Sequence, residues 1–600
     1  EAALGEAETP RDLLRYLGHA APAAAPQAAI ELPHAAALPL PDAAATLVEV
    51  LEWHAARTPD RTHVLFCVED AQAAAITYAD LHHAARSVAA GLVARGLQPR
   101  GHLLVPAVEV VGAAEHRRSL LTITFWKECR TEKYSKTKET AVAMFMKTLY
   151  TPGVAHLSYI FGDGGQASVI DPRRDVNEYL EIAHRRGAKI THIFETHRNE
   201  DYVIGSLELA RRTGAEIYHG SQLDFQYGNP VNEGDEFQLG NVKLSILHTP
   251  GHTMESISIV YRDLAFSDDP LGVFTGDALF IGDVGRTDFY PDRAEEVSGM
   301  LYDSIFQKLL PLGEHVLLWP AHGAGSVCGS RIAERNFSTL GYERKHNPVL
   351  QKTDREEFIR FKVNEEHFQP PYFRQMEKYN LEGAPPLDQL PIPKPLSADE
   401  FARAADGGML VVDIRSPEAY AGAHVPKSFS LPLHMLPAFA GMFLAYDQPL
   451  GLIVEDYSQI EEAVRGLTRI GYDQVDGFLA GGLHAWETNG GGYDRIEAIH
   501  ITDLEQRLDD GDGFTLLDVR SKEEFESGHL RTAVHVYVGD LPSKLEQIPK
   551  RRPITTLCKS GQRATIAAAF LRRQGMEPVE VCLGSMSACS HVECQVIIGD

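Results

Sequence analysis

The stretch Ile190-Thr191-His192-Ile193-Phe194-Glu195-Thr196-His197-Arg198-Asn199-Glu200-Asp201-Tyr202 decides how this chain is read. Its first half is an apolar run that reads as a buried strand, and its second half is a polar cluster that starts where the strand ends. In α/β folds the carboxyl ends of strands are where chemistry is placed. Apolar strands alternate with amphipathic segments on both sides: Leu157–Phe161, Ala167–Asp171 and a helix Val176–Arg186 before it, then strands Val242–Leu247 and Gly272–Thr275 after it. From Val142 to about Leu350 this alternation predicts an α/β sandwich.

Two further short segments close strands of their own. Thr249-Pro250-Gly251-His252-Thr253 follows Val242–Leu247, and Gly276-Asp277-Ala278-Leu279-Phe280 follows Gly272–Thr275. A single strand-end histidine is usually structural. Three such segments in order, followed by Trp319-Pro320-Ala321-His322-Gly323-Ala324-Gly325-Ser326, point instead to a metal held by His197, His252 and Asp277. Two imidazoles and one carboxylate, with positions left open, are the ligand set of a non-haem Fe(II) oxygen-activating centre. A second ion would need Asp201, the residue at 202, a bridging Asp277 and His322. Tyr202 substitutes poorly for imidazole, because a phenol keeps its proton to about pH 10. Asn199 offers only a weak amide. Asp201, His322 and Tyr202 are therefore expected behind the ligands, tuning them.

At 600 residues and a formal charge of −26, the chain has room for about three to five domains. The acidic balance argues against nucleic acid or an anionic membrane surface as partner and serves solubility. No apolar run approaches the roughly 18 residues that a membrane span needs. Seven cysteines, scattered and odd in number, do not make a disulfide framework and fit a reducing compartment. The start, Glu1-Ala2-Ala3-Leu4, lacks Met and the regions of a signal peptide, so a cytoplasmic protein whose chain begins inside a longer precursor is expected. Nothing in the sequence fixes an oligomeric state, and a homo-oligomer stays open.

The last 200 residues contain an internal repeat. Val411-Val412-Asp413-Ile414-Arg415-Ser416 with Gly422-Ala423-His424 recurs as Leu516-Leu517-Asp518-Val519-Arg520-Ser521 with Gly528-His529. The second copy carries Leu557-Cys558-Lys559-Ser560-Gly561-Gln562-Arg563 ahead of a helix Ala564–Arg573. A cysteine at a strand end, a tight loop and a helix start form an anion cradle that stabilises negative sulfur. Cys558 is the expected sulfur carrier, cradled by Lys559, Ser560, Gly561 and Gln562, with Arg563 adding positive charge. In the first copy Val454 stands opposite Cys558, and Glu455 and Asp456 replace the positive side chain. That copy should be structural. Cys328, six residues after His322, is expected to be an ordinary buried cysteine, with a place near the metal mouth as the alternative.

These motifs resemble known families. The three metal segments look like the metallo-β-lactamase scaffold, whose first motif normally reads His-x-His-x-Asp-His and holds two metals. With Glu255-Ser256-Ile257-Ser258 and Gly285-Arg286-Thr287-Asp288-Phe289 added, residues 143–600 resemble persulfide dioxygenases fused to rhodanese domains. The resemblance implies an αββα metallo-β-lactamase sandwich followed by two rhodanese-like doubly wound α/β domains. It implies one Fe(II) per chain on His197, His252 and Asp277, with zinc the less favoured metal, and Thr253 and Arg286 near the thiol carrier; a structural ion pair is the equal alternative for Arg286. It further implies oxidation of a small-molecule thiol persulfide by O2 to sulfite and thiol, coupled to sulfane-sulfur transfer on Cys558. A Zn-dependent thioester hydrolase of glyoxalase II type and a non-enzymatic sulfur-relay scaffold are the alternatives.

Upstream, Val48-Glu49-Val50-Leu51-Glu52-Trp53-His54-Ala55-Ala56 and Ala75-Ile76-Thr77-Tyr78-Ala79-Asp80-Leu81 resemble the opening of an adenylate-forming acyl ligase. No phosphate-binding loop follows, so a non-catalytic fragment is expected. The expected division is a leader plus this fragment over 1–113 and a basic linker over 114–141. A metallo-β-lactamase-fold domain over 142–350 and a Pro-rich extension over 351–396 follow. A cysteine-free rhodanese-like domain over 397–495 and a Cys558-bearing one over 496–600 complete it.

Overall fold

The computed structural model describes residues 62–66, 74–77, 104–106, 120–122 and 144–600, except 330, 512, 550–552, 593, 599 and 600. The chain divides into two units, Glu1–Lys138 and Glu139–Asp600. In the first, Thr62–Phe66 pairs antiparallel with Ala74–Thr77, and Leu104–Pro106 with Leu120–Thr122. Apart from those strands, the stretches expected to be an acyl-ligase-like fragment and a basic linker lie outside the described residues.

In the second unit, two six-stranded sheets stack face to face. The first runs in the order Asn229–Val231, Glu216–Gly220, Lys189–Phe194, Gln166–Ile170, His156–Asp163, Phe145–Thr151. The second runs Glu236–Leu239, Val242–His248, Ile257–Asp263, Gly272–Gly276, Leu317–Pro320, Ser338–Thr339. Between them lie Leu157, Tyr159, Phe161, Phe194, Leu244, Ile259 and Phe274. The outer face of the first sheet is covered by the helices Asn177–Arg185 and Ser206–Thr213, and that of the second by Ala294–Asp303 with its neighbours. Burial on both faces explains why His156–Asp163 is buried at every position. Each fully buried aliphatic or aromatic side chain there contributes about 1.5–3 kcal/mol. This is the expected αββα sandwich.

Two five-stranded parallel sheets follow, in the orders Lys394–Leu396, Val475–Leu479, Leu450–Ile453, Leu410–Asp413, Phe429–Ser430 and Glu497–Ala498, Val579–Val581, Ile554–Leu557, Thr515–Asp518, Val534–His535. The repeat seen in the sequence is a structural repeat. Ser416 and Ser521 each cap the helix after the first core strand, accepting from the amides of Ala419 and Glu524. A common apolar core joins the two copies through Leu452, Leu467, Leu517 and Phe570.

One expectation fails at the tail. Cys589 and Cys594 form a disulfide, five residues apart, a pairing too local for the cysteine spacing to announce. The strand Val596–Ile597 returns to pair with His529–Leu530. No described helix is long and apolar enough to cross a membrane.

The cysteine-free repeat is joined to the sandwich by a dense polar contact. Arg174, buried, pairs with both oxygens of Asp473 at 2.6 and 2.7 Å and donates to the Pro385 carbonyl. Asp175 accepts from Arg465 and Arg469 at 2.7–3.0 Å. Burial works against ionisation of Asp175, yet these guanidinium partners hold its carboxyl below the usual range.

Candidate metal centre and cysteine loop

His197 lies three residues beyond Lys189–Phe194, His252 follows Val242–His248, and Asp277 directly follows Gly272–Gly276. Adjacent sheet edges bring all three together, each at most 2% exposed. Asp277 Oδ2 is 3.7 Å from His197 Nε2 and 3.5 Å from His252 Nε2. Neither Nε2 has a hydrogen-bond partner among the described residues.

The opposite ring nitrogens are both engaged, which sets the tautomers. His252 Nδ1 donates to the Arg286 carbonyl at 3.0 Å. The Thr196 hydroxyl donates to Asp171 Oδ2 at 2.7 Å, so its oxygen accepts from His197 Nδ1 at 2.9 Å. Both Nε2 atoms are therefore bare lone pairs aimed at one carboxylate. That donor set fits a divalent metal, and the groups behind it are those that orient ligating histidines. Asp171 holds its place in a left-handed backbone conformation, φ 48°, and burial pushes its carboxyl up to about 6. Gly276, φ 53°, must lack a side chain: a Cβ there would lie 2.7 Å from the Thr196 hydroxyl oxygen.

His322 sits between two carboxylates. Its Nδ1 is 2.8 Å from Asp277 Oδ1, and its Nε2 is 3.0 Å from Asp201 Oδ2. Burial disfavours its charge, but the two carboxylates outweigh it and raise its pKa well above the ordinary histidine value. Asn199 turns its amide back to the His197 carbonyl at 3.2 Å. The Tyr202 ring lies on His156, 4.0 Å between centroids.

The sequence reading missed Glu200. It is 2% exposed, and its Oε1 is 3.3 Å from His252 Nε2. Ligand atoms of His197, Glu200 and His252 lie within 4.8 Å of one another, as do those of Glu200, Asp277 and Cys328, and of Asp201, His322 and Cys328. Cys328 is buried as expected, but beside the centre, its Sγ 3.4 Å from Glu200 Oε1. A carboxylate inside the first motif was the available signal, and the direction of its side chain was not.

Thr253 is buried and hydrogen-bonds to Ser256 at 2.7 Å. Arg286, expected near a thiol carrier, spends its guanidinium within the protein. It pairs with both oxygens of Asp288 at 2.7 Å, donates to the carbonyls of Val327 and Phe368, and lies over the Phe289 ring. Its share in the centre is the carbonyl that orients His252.

The backbone of 199–204 is held from outside the sandwich. Asn380, on the helix Phe373–Glu382, donates to the carbonyls of Asn199 and Tyr202 at 2.7 and 2.8 Å and accepts from the Ile204 amide at 2.9 Å. The Val203 amide donates to the Arg469 carbonyl at 2.7 Å.

Far along the chain, Cys558 closes the strand Ile554–Leu557 and is 1% exposed. The Gly561 amide donates to its sulfur at 3.1 Å. Gly561 has φ 84°, and a Cβ there would meet the Leu583 carbonyl at 2.2 Å, so only glycine lets the amide turn inward. The helix starts at Gln562, earlier than the sequence suggested, and its N-terminus faces the sulfur loop. Lys559 and Ser560 are exposed, and Gln562 Oε1 accepts from His434 Nε2 at 2.9 Å. Arg563 differs from expectation: both terminal nitrogens are committed to Glu524 at 2.6 and 2.8 Å, so its charge is shared with a carboxylate.

A metallo-beta-lactamase superfamily model matches residues 151–322, and a rhodanese-like domain model matches residues 397–489 and 500–591. The chain is 29% identical over 246 residues to the mitochondrial persulfide dioxygenase ETHE1 of Mus musculus, covering 39% of this chain and 85% of that protein. It is 30% identical over 195 residues to a hydroxyacylglutathione hydrolase of Methylobacillus flagellatus, covering 32% of this chain and 68% of that one. A solved metallo-beta-lactamase from Staphylococcus aureus superposes with a TM-score of 0.51 at 34% identity, covering 56% of this chain and 99% of that one. The chain belongs to the metallo-beta-lactamase superfamily, with two rhodanese-like domains fused behind the metallo-beta-lactamase domain.

Proposed function

We propose that this chain is a mononuclear iron persulfide dioxygenase coupled in cis to a sulfurtransferase. The observation that carries the reading is the convergence of two bare imidazole lone pairs and the Asp277 carboxylate. Similarity to the mouse persulfide dioxygenase supports it, as does a cysteine loop on the same chain. The balanced reaction is R-S-SH + O2 + H2O giving R-SH, sulfite and two protons. The sulfane sulfur is oxidised and dioxygen is reduced. The carrier R-SH is a low-molecular-weight thiol such as glutathione.

Iron(II) on His197, His252 and Asp277 would supply the redox centre for oxygen chemistry. The protein's share is orientation and proton handling. Asp171 and Thr196 fix the His197 tautomer, and the Arg286 carbonyl fixes that of His252. His322 sits between Asp277 and Asp201, where it can hold a proton released at the site. Cys558 exchanges sulfane sulfur with the carrier: its thiolate attacks the outer sulfur of R-S-SH, forming Cys558-S-SH and releasing R-S⁻. The Gly561 amide and the helix N-terminus stabilise the anionic sulfur.

The hydroxyacylglutathione hydrolase relative favours a second reading, a zinc thioester hydrolase on the same scaffold. Metal analysis with oxygen uptake on glutathione persulfide separates the two. Iron, oxygen consumption and sulfite are expected; zinc and thioester cleavage without oxygen uptake would overturn the dioxygenase. A scaffold with a dead site predicts that His252→Ala binds as much iron as wild type, whereas the proposed enzyme loses it.

A further inference from the structure

We infer that Glu200 is a fourth protein ligand of the metal held by His197, His252 and Asp277. The inference rests on the reading of that cluster as an iron centre and adds to its chemistry.

The loop that carries Glu200 has its other side chains committed elsewhere. Asn199 turns its amide to the His197 carbonyl, Asp201 pairs with His322, and the Tyr202 ring lies on His156. Glu200 is the side chain of this loop, beyond His197, that reaches the two bare imidazole nitrogens: its Oε1 is 3.3 Å from His252 Nε2 and clusters with His197. It clusters with Asp277 on the other side.

The second oxygen carries the argument further. Glu200 is 2% exposed, and its Oε2 has no hydrogen-bond partner among the described residues. A carboxylate buried with one oxygen bare is costly unless a cation accompanies it. Three metal-binding groups within reach, each with unsatisfied or shared donor atoms, identify that cation as the metal itself. Cys328 approaches Oε1 from behind at 3.4 Å, donating its thiol hydrogen, and steadies the carboxylate.

Two imidazoles and two carboxylates change what the ion can do. The pair of negative charges would balance a divalent ion. A fourth protein ligand would leave the ion one fewer open position than the three-residue set. Recognition of the carrier falls to the surrounding protein.

The test uses the full chain, loaded anaerobically with iron(II) or cobalt(II) alone. Glu200→Gln keeps the shape and removes the charge. It is expected to weaken iron(II) binding by about 10–100-fold in chelator competition. It should also shift the visible ligand-field bands of the cobalt form. Glu200→Asp should retain more affinity than Glu200→Gln. Sulfur transfer on Cys558, measured in the same samples, reports that the variants are folded. Iron affinity within about twofold of wild type, or unchanged cobalt bands, would overturn the fourth ligand while leaving the three-ligand iron reading intact. Wild type that takes up no iron(II) would instead bring down the iron reading, and this inference with it.

Discussion

In the repeat built on Thr515–Asp518, the Gly561 amide points at the Cys558 sulfur from 3.1 Å. In the repeat built on Leu410–Asp413, the amides of Glu455 and Asp456 point at the Gln459 side-chain oxygen from 3.0 and 3.1 Å. Asp456 accepts from the Ser458 amide, and the Tyr457 hydroxyl accepts from Gly481. The scaffold around the two loops is otherwise the same. Arg415 clamps Asp413 and the Ala423 carbonyl; Arg520 clamps Asp518 and the Gly528 carbonyl. Tyr420 stacks on His424 as Phe525 stacks on His529. The difference teaches how a cradle is retired. Once its cysteine is replaced, the loop amides still need acceptors, and the loop's own side chains supply them. The freed repeat then serves as a brace, joined to the sandwich by Asp175 and Arg174.

The largest effect belongs to the active loop. Cys558→Ser should cut sulfur transfer from thiosulfate by at least about a thousandfold. Appreciable residual transfer would overturn Cys558 as the sulfur carrier. Next comes the brace. Arg174→Ala leaves Asp473 without its partner and should cost about 2–3 kcal/mol in denaturant unfolding monitored across the sandwich; no change would reduce the joint to a surface contact. A smaller effect is expected from rebuilding the cradle. Val454→Cys alone should give a sluggish thiol, and Val454→Cys with Gln459→Ala, which frees two amides, should be alkylated about tenfold faster. Equal rates would show that amide direction is not what separates the repeats. The smallest effect is pH-dependent. The depressed pKa of Asp175 means that its share of stability is complete above about pH 4, the range of an unfolded carboxylate, and is lost as pH falls through the folded value. Asp175→Asn should remove that acid-dependent part of the unfolding profile.

Much of this was legible in the chain. The sandwich could be read from alternating apolar runs, because strands buried on both faces leave near-continuous hydrophobic text. His197, His252 and Asp277 could be read because each closes a strand. Glu200 could not, since side-chain direction in an irregular loop follows no period, and only the diversion of Asn199, Asp201 and Tyr202 shows where it goes. Arg286 could be read either as a ligand-binding cation or as an ion-pair partner; Asp288, two residues away, engages it in a bidentate pair. Arg563 met the same fate through Glu524, which lies 39 residues away and gives no local sign of the pairing. The Pro-rich joint concealed a helix whose Asn380 serves a loop far upstream.

That last contact has a temporal side. Asn199 and the amide that holds its carbonyl are 181 residues apart. At about 5–20 residues per second, a ribosome needs roughly ten to forty seconds to add that length. Over the later part of this interval both histidines and Asp277 have been made, but the loop after His197 has no clamp. The site therefore matures late, and an ion that arrives early meets ligands whose spacing has not yet been set.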